Sequence, residues 1–150
     1  SRALADGRYA IRRQEILDAA NALNLDWLCH GDLESAARLP EPLQRRARHV
    51  ISEDRRTRAA AAALKTGDIA GFARFVNEGH ASIRDDFEIT TDEVDAVVAS
   101  AREFGAMAAR QTGGGFGGCI VVLFDGKPPK DWIAKLTQRH PKVWEVVAAA

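Results

Sequence analysis

The 150-residue sequence has no excess of charge of either sign, since lysine plus arginine and aspartate plus glutamate both total 21. A nucleic-acid-binding domain is expected to carry a basic excess or a basic stripe, so this balance gives no support for a nucleic-acid partner. Long apolar runs are also missing. The run Cys119–Phe124 is far shorter than the roughly 20 residues that a membrane-spanning helix needs. We therefore expect neither a nucleic-acid partner nor a membrane segment.

Cysteine is scarce, and the two residues present, Cys29 and Cys119, lie far apart in the sequence. They fit buried thiols in a reducing compartment better than a disulfide framework. Residues 1–13 are polar and carry four arginines, which is unlike a signal peptide. We therefore expect a cytoplasmic location. No metal site is predicted, because metal-ligand spacing to a cysteine or carboxylate is absent at all four histidines: His30, His49, His80 and His140.

Apolar residues recur at helical spacing over most of the chain before Gly105. This pattern predicts a helix from about Tyr9 to Leu23, a short turn at Ser35–Leu39, a long helix from about Leu43 to Thr66, a fourth helix whose stripe is Ile69, Phe72, Phe75, Val76 and Ile83, and a fifth helix that carries Val94, Val97, Val98 and Ala101. The first two thirds of the chain are therefore expected to be helical.

Capping residues mark several of these helix boundaries. Gly67 suits the left-handed position after a helix, and Asp68 suits the N-cap of the next one. The run Thr90-Thr91-Asp92-Glu93 is typical of a capping box at the start of the fifth helix. Gly105 is the expected end of that helix.

The pattern changes after Gly105. An extended segment is predicted at Met107–Gln111 and a strand at Cys119–Phe124. A helix should follow with Pro129 in its first turn, closed by His140-Pro141, and then a final strand from Val143 to Val147. Helices followed by a small set of strands predict one α+β domain over residues 1–150.

Five glycines occupy six positions between the two predicted strands, in the run Gly113-Gly114-Gly115-Phe116-Gly117-Gly118. It is not a phosphate-binding loop of the Gly-Lys-Ser/Thr kind, and no helix follows as in a dinucleotide-binding fingerprint. Two interpretations remain. The run is either a tight, bulged hairpin that packs against another element, or a turn whose backbone N–H groups approach an anion.

Three polar groups have more ordinary interpretations. Six arginines are interleaved with acidic residues on the long helix and are predicted to form a solvated, self-paired face: Arg45, Arg46, Arg48, Arg55, Arg56 and Arg58. The acidic run Asp85-Asp86 with Glu88 is expected in a polar loop. Tyr9 has the features of a half-buried tyrosine, although its hydroxyl is also suited to contact a polyol.

Several collinear stretches resemble the galactokinases, a branch of the GHMP small-molecule kinases. The segment Ala109–Cys119 is similar to their third signature motif, and its Phe116 favours galactokinases over mevalonate kinases. Further matches are Arg46–Glu53 with an Arg-Ala-x-His-Val-x-x-Glu helix, Ala63–Asp68 with an Ala-Leu-x-x-Gly-Asp junction, Gly79–Ile89 with a Ser-His-x-Ser-Leu-Arg-Asp-x-Tyr-Glu-Val segment, and Tyr9 to Arg13 with a Tyr-x-x-Arg-Arg helix start. Gly79 stands where Ser is usual, and Gln111 where Met or Leu is usual.

The resemblance implies a GHMP kinase C-terminal domain, with helices packed on a small antiparallel, ferredoxin-like sheet. It implies transfer of the γ-phosphoryl group of ATP to the anomeric hydroxyl of D-galactose, with Mg²⁺. By direct match, the glycine run 113–118 lies beside the nucleotide phosphates and Tyr9 contacts the sugar. A Cβ at Gly115 is then expected to crowd a backbone that faces the ligand.

The resemblance also implies what is missing from this chain. The family's ATP loop, catalytic aspartate and galactose signature belong to an N-terminal lobe, and none of them is present here. We therefore assign no catalytic residue and no metal ligand within the chain, and expect the isolated fragment to be inactive. The alternatives are a non-catalytic sugar sensor related to galactokinases and an interaction module.

Overall fold

The computed structural model describes residues 2–144, with side chains from residue 7 onward. The order of elements is α1 (Arg2–Ala22), a 3₁₀ turn (Leu28–His30), α2 (Leu33–Ala36), α3 (Leu43–Thr66), α4 (Ile69–Ser82), a π-helical turn (Ile83–Phe87), α5 (Asp92–Glu103), β1 (Ala108–Thr112), β2 (Cys119–Leu123) and α6 (Trp132–Arg139). Within residues 2–144, no helix combines the length and apolar character needed to cross a membrane.

The N-terminal half is built around α1 and α3, which pack against each other. Small and branched side chains fill the space between them and the 3₁₀ turn. The buried members of this first core are Ala19, Ala20, Leu28, Ala36, Ala47 and Ile51. Helix α1 begins seven residues earlier than the predicted Tyr9, and α2 lies slightly before the predicted turn at Ser35–Leu39.

The predicted helix boundaries at Gly67, Asp68 and Thr91 are confirmed. Gly67 takes a left-handed conformation with φ of 73° at the end of α3. The Asp68 carboxylate accepts a hydrogen bond from the Gly71 N–H, at 2.8 Å. Thr91 Oγ1 accepts one from the Val94 N–H at the start of α5, at 3.3 Å. A left-handed glycine therefore marks the end of α3, and side chain to backbone hydrogen bonds mark the starts of α4 and α5.

Strands β1 and β2 form an antiparallel hairpin in which Ala108 pairs with Leu123 and Thr112 with Cys119. A second core packs α5 and α6 against this hairpin, with Val94, Val97, Val98, Ala101, Ala109 and Leu136 buried. The α+β prediction is confirmed, with a sheet of two strands in the described residues. The predicted last strand is not formed at Val143-Trp144, and its remainder lies outside the described residues.

Helix α4 lies beside the outer edge of β1 and hydrogen-bonds to its backbone. The Asn77 side chain donates to the Met107 carbonyl at 2.9 Å and accepts from the Ala109 N–H at 3.2 Å. His80 Nδ1 accepts from the Gln111 N–H at 3.3 Å. Two side chains from adjacent turns of one helix therefore pair with alternate residues of the strand.

Four other expectations are corrected. Helix α6 begins at Trp132, so Pro129 precedes the helix instead of lying in its first turn. Neither thiol is fully buried, because Cys29 is partly accessible and Cys119 is exposed. Ile69 is 39% exposed and Ile83 follows α4. The α4 positions that are buried carry small or polar residues such as His80 and Ser82, and helical spacing of apolar residues does not detect these.

Candidate functional site

The glycine run connects β1 to β2 in a conformation that ordinary residues avoid. Positive φ values occur at Gly113, Gly115, Phe116, Gly117 and Gly118, with 119° at Gly117. Glycine adopts such angles at little cost, so the shape of this loop accounts for four of its five glycines: Gly113, Gly115, Gly117 and Gly118. The loop is called the glycine loop below (residues 113–118).

One side of the glycine loop packs against Ile89, in the segment before α5. The Phe116 N–H donates to the Ile89 carbonyl at 2.6 Å. A Cβ on Gly115 would lie 2.8 Å from Ile89 Cβ and 3.0 Å from its carbonyl oxygen. Gly115 therefore faces the protein, and the expectation that its Cβ would crowd a ligand is wrong. At this position the tight packing interpretation holds.

The other side of the glycine loop is open. A Cβ built on Gly113, Gly114 or Gly117 would meet no atom within 4 Å. Among residues 2–144, the loop N–H groups other than that of Phe116 donate to no backbone carbonyl. Clustered N–H groups without protein acceptors, on a backbone that lacks Cβ atoms, suit an anionic ligand. The packed interpretation therefore holds at Gly115, and anion binding on the open side stays a prediction.

Gln111 lies under the glycine loop at the end of β1 and is 2% exposed. Its Nε2 donates to the Gly117 carbonyl at 3.1 Å and to the Ile89 carbonyl at 3.3 Å. Behind it, His80 Nε2 lies 3.2 Å from Asp95 Oδ1. Burial lowers the pKa of His80 below its usual range, even though the Asp95 carboxylate opposes this shift. The neutral ring can accept the Gln111 N–H at Nδ1.

Arg46 is fixed at the centre of an ion-pair network between α1, α3 and the segment before α5. The side chain is 2% exposed and donates at 2.6 Å to three acceptors: the Glu15 carboxylate, the Asp86 carbonyl and the Glu88 carboxylate. Glu88 has a positive φ of 54°, which is costly for a residue with a Cβ. Its carboxylate is held by Arg46 and also by Arg45, at 2.6 Å.

The prediction of a solvated, self-paired arginine face holds for part of α3 only. Arg45–Glu41 and Arg58–Asp54 form the expected i,i+4 pairs, each at 2.8 Å. Arg46 is buried instead, and the segment that contains Asp85, Asp86 and Glu88 is a π-helical turn followed by a left-handed residue. Sequence spacing detects pairs within one helix, whereas these contacts join residues about 30 to 40 positions apart.

Tyr9 is half exposed and lines a cleft of about 470 Å³ between α1 and α3, together with Arg13, His49, Glu53 and Phe87. The preceding residue, Arg8, lies over the Phe116 ring, 5.4 Å from its centroid. The same turn of α1 therefore contacts the glycine loop and presents the Tyr9 side chain. Within the described residues, no group of three or more histidine, cysteine or acidic side chains is arranged to hold a metal ion.

Residues 60–142 match the family described as GHMP kinases C terminal. The chain belongs to the GHMP kinase C-terminal family. The match contains α4, both strands and the whole glycine loop, which are the elements that shape the candidate site. The family-level resemblance and the α+β fold inferred from sequence are thus confirmed.

Within this family, the chain is similar to galactokinases. It is 43% identical over 150 residues to the galactokinase of Roseiflexus sp. (strain RS-1), covering 93% of this chain and 38% of that protein. It is 44% identical over 127 residues to the human galactokinase, covering 81% of this chain and 32% of that protein. The chain therefore spans between about a third and two fifths of the length of these relatives.

A solved structure of this type is also similar in fold. Lactococcus lactis galactokinase, crystallised with galactose, superimposes with a TM-score of 0.81 at 30% identity. The superposition covers 87% of this chain and 36% of the galactokinase chain. The GHMP C-terminal domain described here thus has the architecture of the corresponding part of that enzyme.

Sequence reasoning singled out the glycine loop, and the role of Tyr9 stays a prediction, but the contacts that hold the loop were missed. Ile89 ends the segment Gly79–Ile89 that resembles galactokinases, but the motif gives no sign that its carbonyl group accepts from the loop. Gln111 carried a detectable signal, since a polar residue stands there in place of the usual Met or Leu. His80 was assessed as a metal ligand and as part of the Gly79–Ile89 match, and neither indicated its contact with the backbone of β1.

Proposed function

We propose that this chain is the C-terminal lobe of a galactokinase. The complete protein would transfer the γ-phosphoryl group of ATP to the anomeric hydroxyl of D-galactose. The observation that carries the proposal is the open side of the glycine loop, with clustered N–H groups that lack backbone acceptors. Sequence identity of 43% and 44% to two galactokinases supports the choice of galactokinase within the family.

The glycine loop would lie beside the phosphates of ATP, with the backbone at Gly113, Gly114 and Gly117 facing the ligand. Phosphoryl transfer depends on positioning and charge neutralisation, and N–H groups in a fixed arrangement contribute to both. Mg²⁺ would neutralise phosphate charge, with ligands outside this chain. The proton of the galactose hydroxyl would also pass to a base outside this chain, since no carboxylate here is assigned that role.

Tyr9 would contribute to sugar binding through its hydroxyl. It is half exposed on the turn of α1 that also places Arg8 over Phe116, so its side chain is accessible to a ligand. The partner that completes the site would be an N-terminal lobe of the same polypeptide, and the complete protein would be cytoplasmic.

The proposal is tested by following ATP consumption by the full-length protein with galactose, and by ³¹P NMR for a sugar 1-phosphate. Galactose-dependent formation of this product is expected. Tyr9→Phe should raise the KM for galactose several-fold, because one hydrogen bond to the sugar is lost. The 150-residue chain alone should form no product. A full-length protein that binds galactose and ATP without turnover would contradict the proposal and favour the sugar-sensor alternative.

A further inference from the structure

We infer that Gln111 is a positioning residue for the glycine loop, a role that rests on the function proposed above. Its side-chain amide bridges two carbonyl groups from different segments, one in the loop at Gly117 and one before α5 at Ile89. Carbonyl oxygens only accept hydrogen bonds, so both Nε2 hydrogens are needed and the orientation of the amide is fixed.

The Ile89 carbonyl accepts two hydrogen bonds and thereby joins the glycine loop to Gln111. It accepts from Phe116 in the middle of the glycine loop and from the Gln111 side chain beneath it. The next residue back, Glu88, is held by Arg45 and Arg46 of α3. Gln111 therefore connects the end of the loop, at Gly117, to a carbonyl whose own position is fixed by the ion-pair network.

The Gln111 side chain also carries an unsatisfied group, which argues against a purely stabilising role. Its Oε1 is buried and has no hydrogen-bond partner among the described residues. A buried acceptor without a partner destabilises the folded state. A methionine of similar length would avoid this cost, and methionine or leucine is the residue that the galactokinase resemblance leads us to expect here. Glutamine therefore fixes the loop at the expense of stability.

Gln111→Met in the full-length protein distinguishes a role in positioning the loop from a role in stabilising the fold. Without the bridge, the Gly117 carbonyl is free to move, and the N–H groups on the open side of the loop lose their fixed directions. We expect hydrogen exchange at the Phe116 amide, which donates to the Ile89 carbonyl, to accelerate about five- to tenfold, the effect of losing a typical hydrogen bond. The kcat should fall by a similar factor, while the Tm stays level or rises. A residue with a merely structural role would lower kcat and Tm together.

Two further variants sharpen this comparison. Gln111→Glu keeps the shape of the side chain but replaces the donor with an acceptor that faces two carbonyl oxygens. Hydrogen exchange should therefore accelerate, and both kcat and Tm should fall. Gln138→Met makes the same chemical change as Gln111→Met at an exposed position of α6, and should alter none of the three measurements.

The outcomes distinguish failure of this inference from failure of the proposed function. Unchanged exchange in Gln111→Met would overturn the bridge, and faster exchange with unchanged kcat would overturn its positioning role. A fall in Tm parallel to the fall in kcat would show that Gln111 is only structural. If the wild-type protein does not phosphorylate galactose, the proposed function fails, whereas the exchange measurement still decides whether Gln111 holds the loop.

Discussion

The imidazole ring of His49 stacks on the phenyl ring of Phe87, with ring centroids 4.6 Å apart and planes inclined by 7°. Its Nδ1 lies 3.0 Å from Ser82 Oγ, and Ser82 in turn donates to the Asp86 carboxylate at 3.1 Å. Burial lowers the pKa of His49 to about 4. The ring is therefore neutral at physiological pH, and it joins α3 to the π-helical turn.

This pKa predicts a specific loss of stability in acid. An unfolded histidine has a pKa of about 6.5, so between pH 6.5 and 4 the unfolded state binds a proton that folded His49 does not. Above pH 6.5, His49 should not affect the pH dependence of stability. As the pH falls from 6.5 to 4, its preferential protonation in the unfolded state should lower the free energy of unfolding by up to about 3 kcal/mol. His49→Gln should therefore lower the urea midpoint at pH 7.5 but reduce its further fall between pH 7.5 and 4.5.

His80 serves as the comparison for this measurement, because its pKa is also lowered by burial. Protonation of His80 should also lower stability in acid. The urea midpoint of His49→Gln should therefore still fall with decreasing pH, and it should fall less in a variant that also carries His80→Gln. A slope in His49→Gln equal to that of the wild type would contradict the assignment to His49.

Removal of the buried guanidinium at Arg46 should be among the most destabilising changes on α3. Arg46→Met leaves the Glu15 carboxylate and the Asp86 carbonyl without their 2.6 Å donor. Glu15 keeps Arg12 and Glu88 keeps Arg45 as partners, so we expect a cost near the lower end of the about 3–5 kcal/mol that breaking a buried ion pair typically costs. Arg46→Lys should also be strongly destabilising, since an ammonium group cannot reach three acceptors in the guanidinium geometry. Guanidinium chloride unfolding measures both.

Arg58→Met is the matched control, because Arg58 lies on the same helix and pairs with Asp54 in solvent. Exposed pairs contribute little to stability, so its midpoint should stay close to that of the wild type. Equal losses for Arg46→Met and Arg58→Met would mean that the network adds nothing to the stability of the domain.

Two alanine substitutions in the glycine loop should have opposite dominant effects. Gly115→Ala places a Cβ 2.8 Å from Ile89 Cβ at a φ of 88°, so it should destabilise the protein by about 1–3 kcal/mol. Gly114→Ala meets no atom within 4 Å and should leave the Tm almost unchanged. It should nevertheless lower turnover of galactose by the full-length protein, because its methyl group would lie on the open side of the loop.

Thermal unfolding and kcat per folded molecule measure the two effects separately. If Gly114→Ala and Gly115→Ala showed the same Tm, the packing of Gly115 on Ile89 would be of no energetic importance. If Gly114→Ala kept full turnover, the open side of the loop would not be where ligand binds.

Asn77 should stabilise the hairpin through its contact with β1. Asn77→Ala removes the acceptor of the Ala109 N–H and the donor to the Met107 carbonyl. Ala109 is completely buried, so its N–H would be left without a partner, at a cost of about 1–3 kcal/mol. Asn21→Ala makes the same change at an exposed position of α1 and should not destabilise. Chemical denaturation that gave equal midpoints for the two variants would refute this role for Asn77.

The sequence was sufficient for features that depend on neighbouring residues. Gly67, Asp68 and Thr91 act within a few positions of the chain, so their types alone predicted the end of α3 and the starts of α4 and α5. A hairpin was one of two interpretations of the glycine run, which lies between the extended segment Met107–Gln111 and the apolar run Cys119–Phe124. Boundaries without capping residues were less well predicted, as the early start of α1 and the late start of α6 demonstrate.

The candidate site was predictable only in part, because its decisive contacts join distant positions. Arg46 looks like any arginine of an exposed helix until Glu15 and Glu88 are brought beside it. Similarly, Gly115 could not be assigned to the packed or the open side of the loop before Ile89 was located. The resemblance to galactokinases identified the segments that meet, but their mutual contacts required the fold.

The side chains of Asn77 and His80 have a consequence for self-association. A strand at the end of a sheet offers unpaired N–H and C=O groups, which can template pairing with a strand of another molecule. Along this edge, α4 already takes three such groups: the Met107 carbonyl just before β1, the Ala109 N–H and the Gln111 N–H. Helix α4 thus covers this edge of β1. A strand of another molecule could pair with β1 there only after α4 had moved away.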